Sequence, residues 1–195
     1  MTAPEQTRTP GGAPPPGLRW AIKASFVSYV RRTPGGTGSV SDGAVPVGGD
    51  EVLFPLDDRA PAAVDLPSGT TRAWAFRGDV RFSGHGGMMS VRIAHPWITL
   101  GDAGATLWVA DPHDPHDPHD PHDTAGAPRV PLVTLDLAHR PSPDAAADGV
   151  ALWTAGDVRL TAAGAELFGG VYAPGERFEP VVVIVPVGTG AVTPT

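Results

Sequence analysis

LRWAIKASFVSYV, residues Leu18 to Val30, is the stretch on which the reading of the whole chain turns. Leu18, Ile22, Phe26 and Val30 recur at a spacing of four, and Phe26 to Tyr29 adds a step of three. At 3.6 residues per turn these positions share one helix face. Three prolines and Gly17 precede the stretch and Pro34-Gly35-Gly36 follows it, so the pattern predicts a helix over 18–32. It is the one convincing helix in a chain that otherwise reads as strands and turns. On this register Tyr29 lies on the apolar side, and a buried phenol needs a partner for its hydroxyl. The helix alone leaves two readings open: a core tyrosine bonded to a backbone carbonyl, or a phenolate that ligates a metal.

Downstream, short segments alternate in the strand manner. Glu51 to Leu56, Thr70 to Phe76, Asp79 to Ser83, Met88 to Ala94, Trp97 to Leu100, Ala105 to Ala110 and Val130 to His139 read as strands. Residues 33–50, rich in Gly and Ser, read as a loop or loose hairpin. Val150 to Thr154 and Asp157 to Leu160 read as a hairpin around Ala155-Gly156. Thr161 is placed to cap a second, brief helix that ends in Gly169-Gly170. Glu179 to Val187 is the last and most apolar strand. The expectation is a mainly β chain: a β-sandwich or open barrel of about eight to ten strands, with an N-terminal helix and one short C-terminal helix. Residues 1–17 and 188–195 read as flexible tails around a single domain over 18–187.

Composition agrees. Apolar residues make up 41% of the 195, enough for a core. Gly and Pro together number 48, which suits many turns and argues against a helical bundle. The net charge is −7, and five of the acids lie in one repeat, Asp111 to Asp123. Beyond Arg31-Arg32 there is no basic cluster, so nucleic acid is not an expected partner. The absence of cysteine excludes disulfides, iron–sulfur clusters and thiolate-ligated haem. The opening MTAPEQTRTPGGAPPPG holds no apolar run, and the longest one, Pro180 to Val187, is too short to span a bilayer. As written, the chain reads as cytoplasmic.

Two motifs carry chemistry. The Pro-His-Asp repeat places His113, His116, His119 and His122 at a period of three, the period of a polyproline II turn. It would bind divalent metal in vitro. We read it as a low-complexity insert in a surface loop, because such tracts need no packed role. The second motif is Gly84-His85-Gly86-Gly87, a turn whose glycines let the backbone bend sharply and approach another group closely. Signatures of serine hydrolases, zinc proteases, P-loops and dinucleotide folds are missing.

Three blocks together resemble one family. Trp20, Lys23, Ser25-Phe26 and Tyr29 are similar to its opening W-x-x-K-x-S-F-x-x-Y. Phe82 to Gly87, followed by Met88 to Pro96, is similar to its F-x-G-H-x-G-x-L turn and strand. Leu160 to Gly164, then Phe168-Gly169-Gly170-Val171-Tyr172, Gly175 and Glu179-Pro180, resembles its closing block. The family is the HtaA-type haem-binding domain of actinobacterial haem uptake. The resemblance implies a β-rich domain holding one haem b, with Tyr29 as the axial iron ligand and His85 hydrogen-bonded to the Tyr29 oxygen. It further implies Tyr172 at the pocket and Ser25 near a haem propionate. Phe26, Val27, Met88, Met89 and Trp97 are candidate apolar walls.

That chemistry is coherent in itself. Ferric iron favours an anionic oxygen donor, and tyrosinate is a haem ligand. A histidine on the same oxygen tunes its basicity. The expected function is haem transport, transfer or storage, with a haem donor or acceptor protein or a second copy of the chain as partner. Two other classes stay open: a peroxidase- or catalase-like haem enzyme, and a β-sandwich adhesion or metal-buffering module that uses the Pro-His-Asp tract. Family members are usually exported, often with several such domains, whereas this sequence shows one.

Overall fold

The structure, a computed structural model, describes residues 14–59, 61, 65–102, 104–113, 128–137 and 149–190. The described residues open on a strand, β1 (Gly17–Trp20), and only then enter a helix, α1 (Ala24–Arg32). This corrects the expected helix over 18–32. Leu18 and Trp20 are fully buried as strand residues, and Ile22 turns the chain at φ +63°. A β-branched residue in the left-handed region breaks any helix that runs through it. The spacing of Leu18 and Ile22 with Phe26 and Val30 is therefore not one helix face; two elements contribute it.

Among the described residues the remaining elements follow in order. They are β2 (Thr37–Ser41), β3 (Val45–Gly48), β4 (Glu51–Pro55), β5 (Thr70–Ala75) and β6 (Asp79–Gly84). A single 3-10 turn over His85–Gly87 precedes β7 (Met89–Ala94), β8 (Trp97–Gly101), β9 (Gly104–Ala110) and β10 (Arg129–Leu135). Then come β11 (Val150–Ala155), β12 (Val158–Leu160), α2 (Ala162–Leu167), β13 (Arg177–Phe178) and β14 (Val181–Pro186). No described helix is long and apolar enough to cross a membrane.

The strands form three antiparallel sheets, ordered β11-β14-β1-β4-β3, β13-β12-β10-β9-β8-β5 and β2-β6-β7. The architecture is mainly β and of sandwich type, as expected, and the described sheets do not close into a barrel. There are more strands than the pattern predicts. β2 is exposed and Gly/Ser-rich, β3 is exposed and interrupted by Pro46, and β13 is two residues long, so none of them shows a buried–exposed alternation. The expected hairpin over 150–160 does not form. β11 pairs with β14 and β12 pairs with β10, so Ala155-Gly156-Asp157 crosses between two sheets instead.

One apolar core joins the sheets. Trp74 of β5 meets Trp153 of β11 across the two larger sheets, with ring centroids 5.2 Å apart. Leu18, Trp20 and Phe54, all at 0% exposure, fill the centre. Each such side chain contributes about 1.5–3 kcal/mol of burial. β1 is central in its sheet, between β14 and β4, and the Trp20 indole donates to the Glu179 carbonyl at 2.9 Å. The start of α1 is thus hung from the middle of the core.

Candidate functional site

α1 packs Phe26, Val27 and Val30 inward and carries Arg31 and Arg32 in its last turn, where cations suit the helix dipole. The Thr33 N–H and hydroxyl both return to the Tyr29 carbonyl, each at 3.0 Å. A Cβ at Gly36 would lie 1.8 Å from the Val30 carbonyl oxygen, so only glycine lets the chain fold back there. Tyr29 is not on the buried side, as the longer helix implied. It is 42% exposed, because the apolar face of the true helix is Phe26, Val27 and Val30.

The glycine turn docks on this helix end. The His85 N–H donates to the Pro34 carbonyl at 3.3 Å. A Cβ at Gly84 would come within 2.9 Å of the Thr33 methyl, so the missing side chain permits the approach. His85, Gly86 and Gly87 all have positive φ, at 52°, 66° and 94°. The sharp bend swings the imidazole back, and its Nε2 lies 2.7 Å from the Tyr29 hydroxyl. Residues separated by 56 positions are joined by one short hydrogen bond.

A second aromatic group stands beside the start of α1. The Thr161 hydroxyl accepts from the Gly164 N–H at 2.9 Å and caps α2. Gly169 and Gly170 end that helix at φ 66° and 71°, as the sequence predicts. The chain then delivers Tyr172, whose hydroxyl lies 3.3 Å from the Ser25 Oγ. Phe26 is held edge-on by Phe82 and by Phe168, each at 5.1 Å. The Lys23 ammonium sits 5.5 Å from the Tyr172 ring centroid, which favours the π face.

Between α1, the outer edge of β7 and the end of α2 lies an open cleft of about 750 Å³. Phe26, Tyr29, Met88, Met89 and Tyr172 all line it. Small-molecule sites span roughly 300–1,000 Å³, so this one is wide enough for a large flat ligand. Met88 at 88% exposure and Val171 at 77% are apolar and unshielded beside it. Exposed apolar surface around a concavity marks a binding site. His85 reaches the cleft only through Tyr29, and Ser25 only through Tyr172.

Two candidate wall residues lie elsewhere. Val27 faces a separate pocket of about 220 Å³ on the far side of α1, and Trp97 stacks under the Arg129 guanidinium at 3.5 Å. Sequence reasoning missed Val171, Leu167 and Arg92 and read His113 only as part of a metal-binding surface repeat, whereas all four line the cleft. His113 lines the cleft with Nδ1 3.2 Å from the Asp111 carboxylate. His116, His119 and His122 lie outside the described residues. Among the described residues no three His, Asp or Glu side chains cluster as a metal site.

Fold and site together define a β-sandwich domain with a tyrosine–histidine pair set against an apolar cleft. The chain matches the HtaA family (Htaa) over residues 16–184, and it belongs to that family. Among solved structures it is similar to the N-terminal domain of HtaA from Corynebacterium glutamicum. That likeness has a TM-score of 0.65 at 21% identity and covers 91% of this chain and 100% of that one. It is similar to the C-terminal domain of the same protein, with a TM-score of 0.63 at 22% identity over 87% and 94% of the two chains. It is also similar to the haem-binding protein HtaB from Corynebacterium glutamicum, with a TM-score of 0.60 at 18% identity over 87% and 91%. At these identities the likeness is one of fold. A comparison with curated proteins finds no match.

Proposed function

We propose that this domain binds haem b without covalent attachment, as cargo to be carried, transferred or stored, and that Tyr29 is its axial ligand. The observation that carries the reading is the 2.7 Å bond from the Tyr29 hydroxyl to His85 Nε2 beside a 750 Å³ apolar cleft. Family membership and the haem-binding character of HtaB support the same cargo. The donor set fits, since a phenolate oxygen suits ferric iron and a porphyrin needs apolar walls such as Phe26, Met88 and Met89.

The pair accounts for the proton. A free phenol keeps its proton in neutral water, so the phenolate forms only as the iron takes the oxygen. His85 Nε2 is already within hydrogen-bonding distance and can receive that proton. Once Tyr29 is a phenolate, Nε2–H donates to it and moderates its basicity. Protonation of the phenolate reverses the sequence and frees the iron, which is how a carrier gives up its cargo. Tyr172 and Ser25, bonded to each other at 3.3 Å, offer two hydroxyls as further polar contacts for the ligand.

The test is a hemin titration of the purified protein followed by its absorption spectrum. Wild type should give one saturable, high-spin ferric species. Tyr29→Ala should lose that spectrum and bind at least about tenfold more weakly, the lower end of what a lost charge-assisted contact costs. An unchanged spectrum and affinity in Tyr29→Ala would remove Tyr29 as the ligand.

A further inference from the structure

The cleft wall carries a guanidinium held by a buried carboxylate. Arg81 and Arg92 are direct cross-strand partners on β6 and β7. Like charges placed opposite each other destabilise a sheet. Asp79, at 0% exposure, answers both with one oxygen. Its Oδ2 accepts from Arg81 Nε at 3.1 Å, from Arg81 Nη2 at 2.8 Å and from Arg92 Nε at 2.8 Å. Both guanidinium groups share that one buried carboxylate, and Asp42 adds its field at Arg81. Arg81 disperses its charge into water, with 58% of its side chain exposed, whereas Arg92 is 21% exposed.

Arg92 also lines the cleft, on the strand that follows the His85 turn. Its Nε is committed to Asp79, and among the described residues its two terminal nitrogens have no hydrogen-bond partner. The buried carboxylate fixes the guanidinium plane, so the remaining donors are pre-oriented. A fixed, forked, half-buried cation is what planar recognition of a carboxylate needs. It is the one permanent cation among the described residues that line the cleft, and Glu166 is the one carboxylate.

We infer that Arg92, anchored by Asp79, is the receptor for a carboxylate of the cleft's ligand, and that it makes the site selective for a diacid porphyrin over its ester. The inference rests on the haem-carrying reading and deepens it. Arg92 touches the propionate edge while Tyr29 takes the iron. The two contacts are independent, one read in the spectrum and the other in the preference for the free acid.

The experiment titrates wild type, Arg92→Gln and Arg92→Lys with hemin and with hemin dimethyl ester in one buffer. Ligation is followed by the ferric spectrum. Wild type should bind the diacid about tenfold to a hundredfold more tightly than the ester, the range for a charge-assisted hydrogen bond in a partly dry site. Arg92→Gln should bring that ratio close to one with the ferric spectrum unchanged. Arg92→Lys should keep part of the preference, because it keeps the charge and loses the fork. Equal affinity of wild type for acid and ester overturns the inference without recourse to any variant. So does a preference that survives intact in Arg92→Gln. Failure of wild type to take up hemin at all is a different result, since it removes the haem-carrying reading itself.

Discussion

Gly164→Ala sets two physical effects against each other, and the structure decides the sign. Gly164 lies inside α2 with ordinary helical geometry, so helix propensity alone favours alanine by about 1 kcal/mol. Packing opposes it. An added Cβ would lie 2.3 Å from the Leu132 carbonyl oxygen and 2.8 Å from a Leu160 methyl. The first of these is backbone in β10 and cannot swing aside, so α2 must back away. Doing so strains the cap, because the Thr161 hydroxyl also donates its one proton to the Pro131 carbonyl, and the Thr161 N–H donates to the Leu132 carbonyl at 3.0 Å. Overpacking costs about 1–3 kcal/mol and each weakened hydrogen bond about 1 kcal/mol. Net of propensity, we expect a loss of about 2 kcal/mol. For a chain of this length that lowers Tm by about 4–8 °C. Thermal unfolding of the unliganded protein by circular dichroism measures it. Hemin affinity should fall as well, since Leu167 and Phe168 of the same segment line the cleft. A Tm equal to or above that of wild type would refute the close approach of α2 to β10.

Phe26→Leu stays apolar but loses two edge-on ring contacts, and should cost about 1–3 kcal/mol in urea unfolding. His85→Ala should leave the fold intact, since the side chain is exposed, and weaken hemin binding about tenfold to a hundredfold in a titration. Asp79→Asn leaves Arg81 and Arg92 opposed without the buried carboxylate that holds them both. It should destabilise by about 3 kcal/mol, the low end for a broken buried pair because Arg81 can turn to water. Deletion of residues 114–122 should preserve the ferric spectrum, because Tyr29 and His85 lie outside the repeat.

Legibility in the sequence tracked how local the signal was. α2 was legible because its cap and its Gly169-Gly170 stop are written within ten residues of chain. The strands from Thr70 to Ala110 were legible through alternation, and the sandwich class through their number. The start of the chain was not. Leu18 and Ile22 mimic a helix face, and the φ of +63° at Ile22 that separates strand from helix has no composition marker. Pairing across sheets was equally hidden, since β11 and β12 are neighbours in sequence yet answer to β14 and β10. Of the site, the glycines around His85 announced a sharp turn, but not that Gly84 would seat it on the end of α1. Tyr29, His85 and Tyr172 were singled out by family resemblance. Arg92 was missed because a charged residue on a strand reads as solvated, and its meaning depends on a buried Asp79 one strand away.

The most direct test of the central claim is a resonance Raman spectrum of the hemin-loaded protein, recorded for wild type and Tyr29→Phe. The account predicts iron-bound tyrosinate bands in wild type that vanish in Tyr29→Phe, a variant that removes only the oxygen bonded to His85 at 2.7 Å. Tyrosinate bands that persist without the Tyr29 oxygen, or a wild-type spectrum that lacks them, would contradict it.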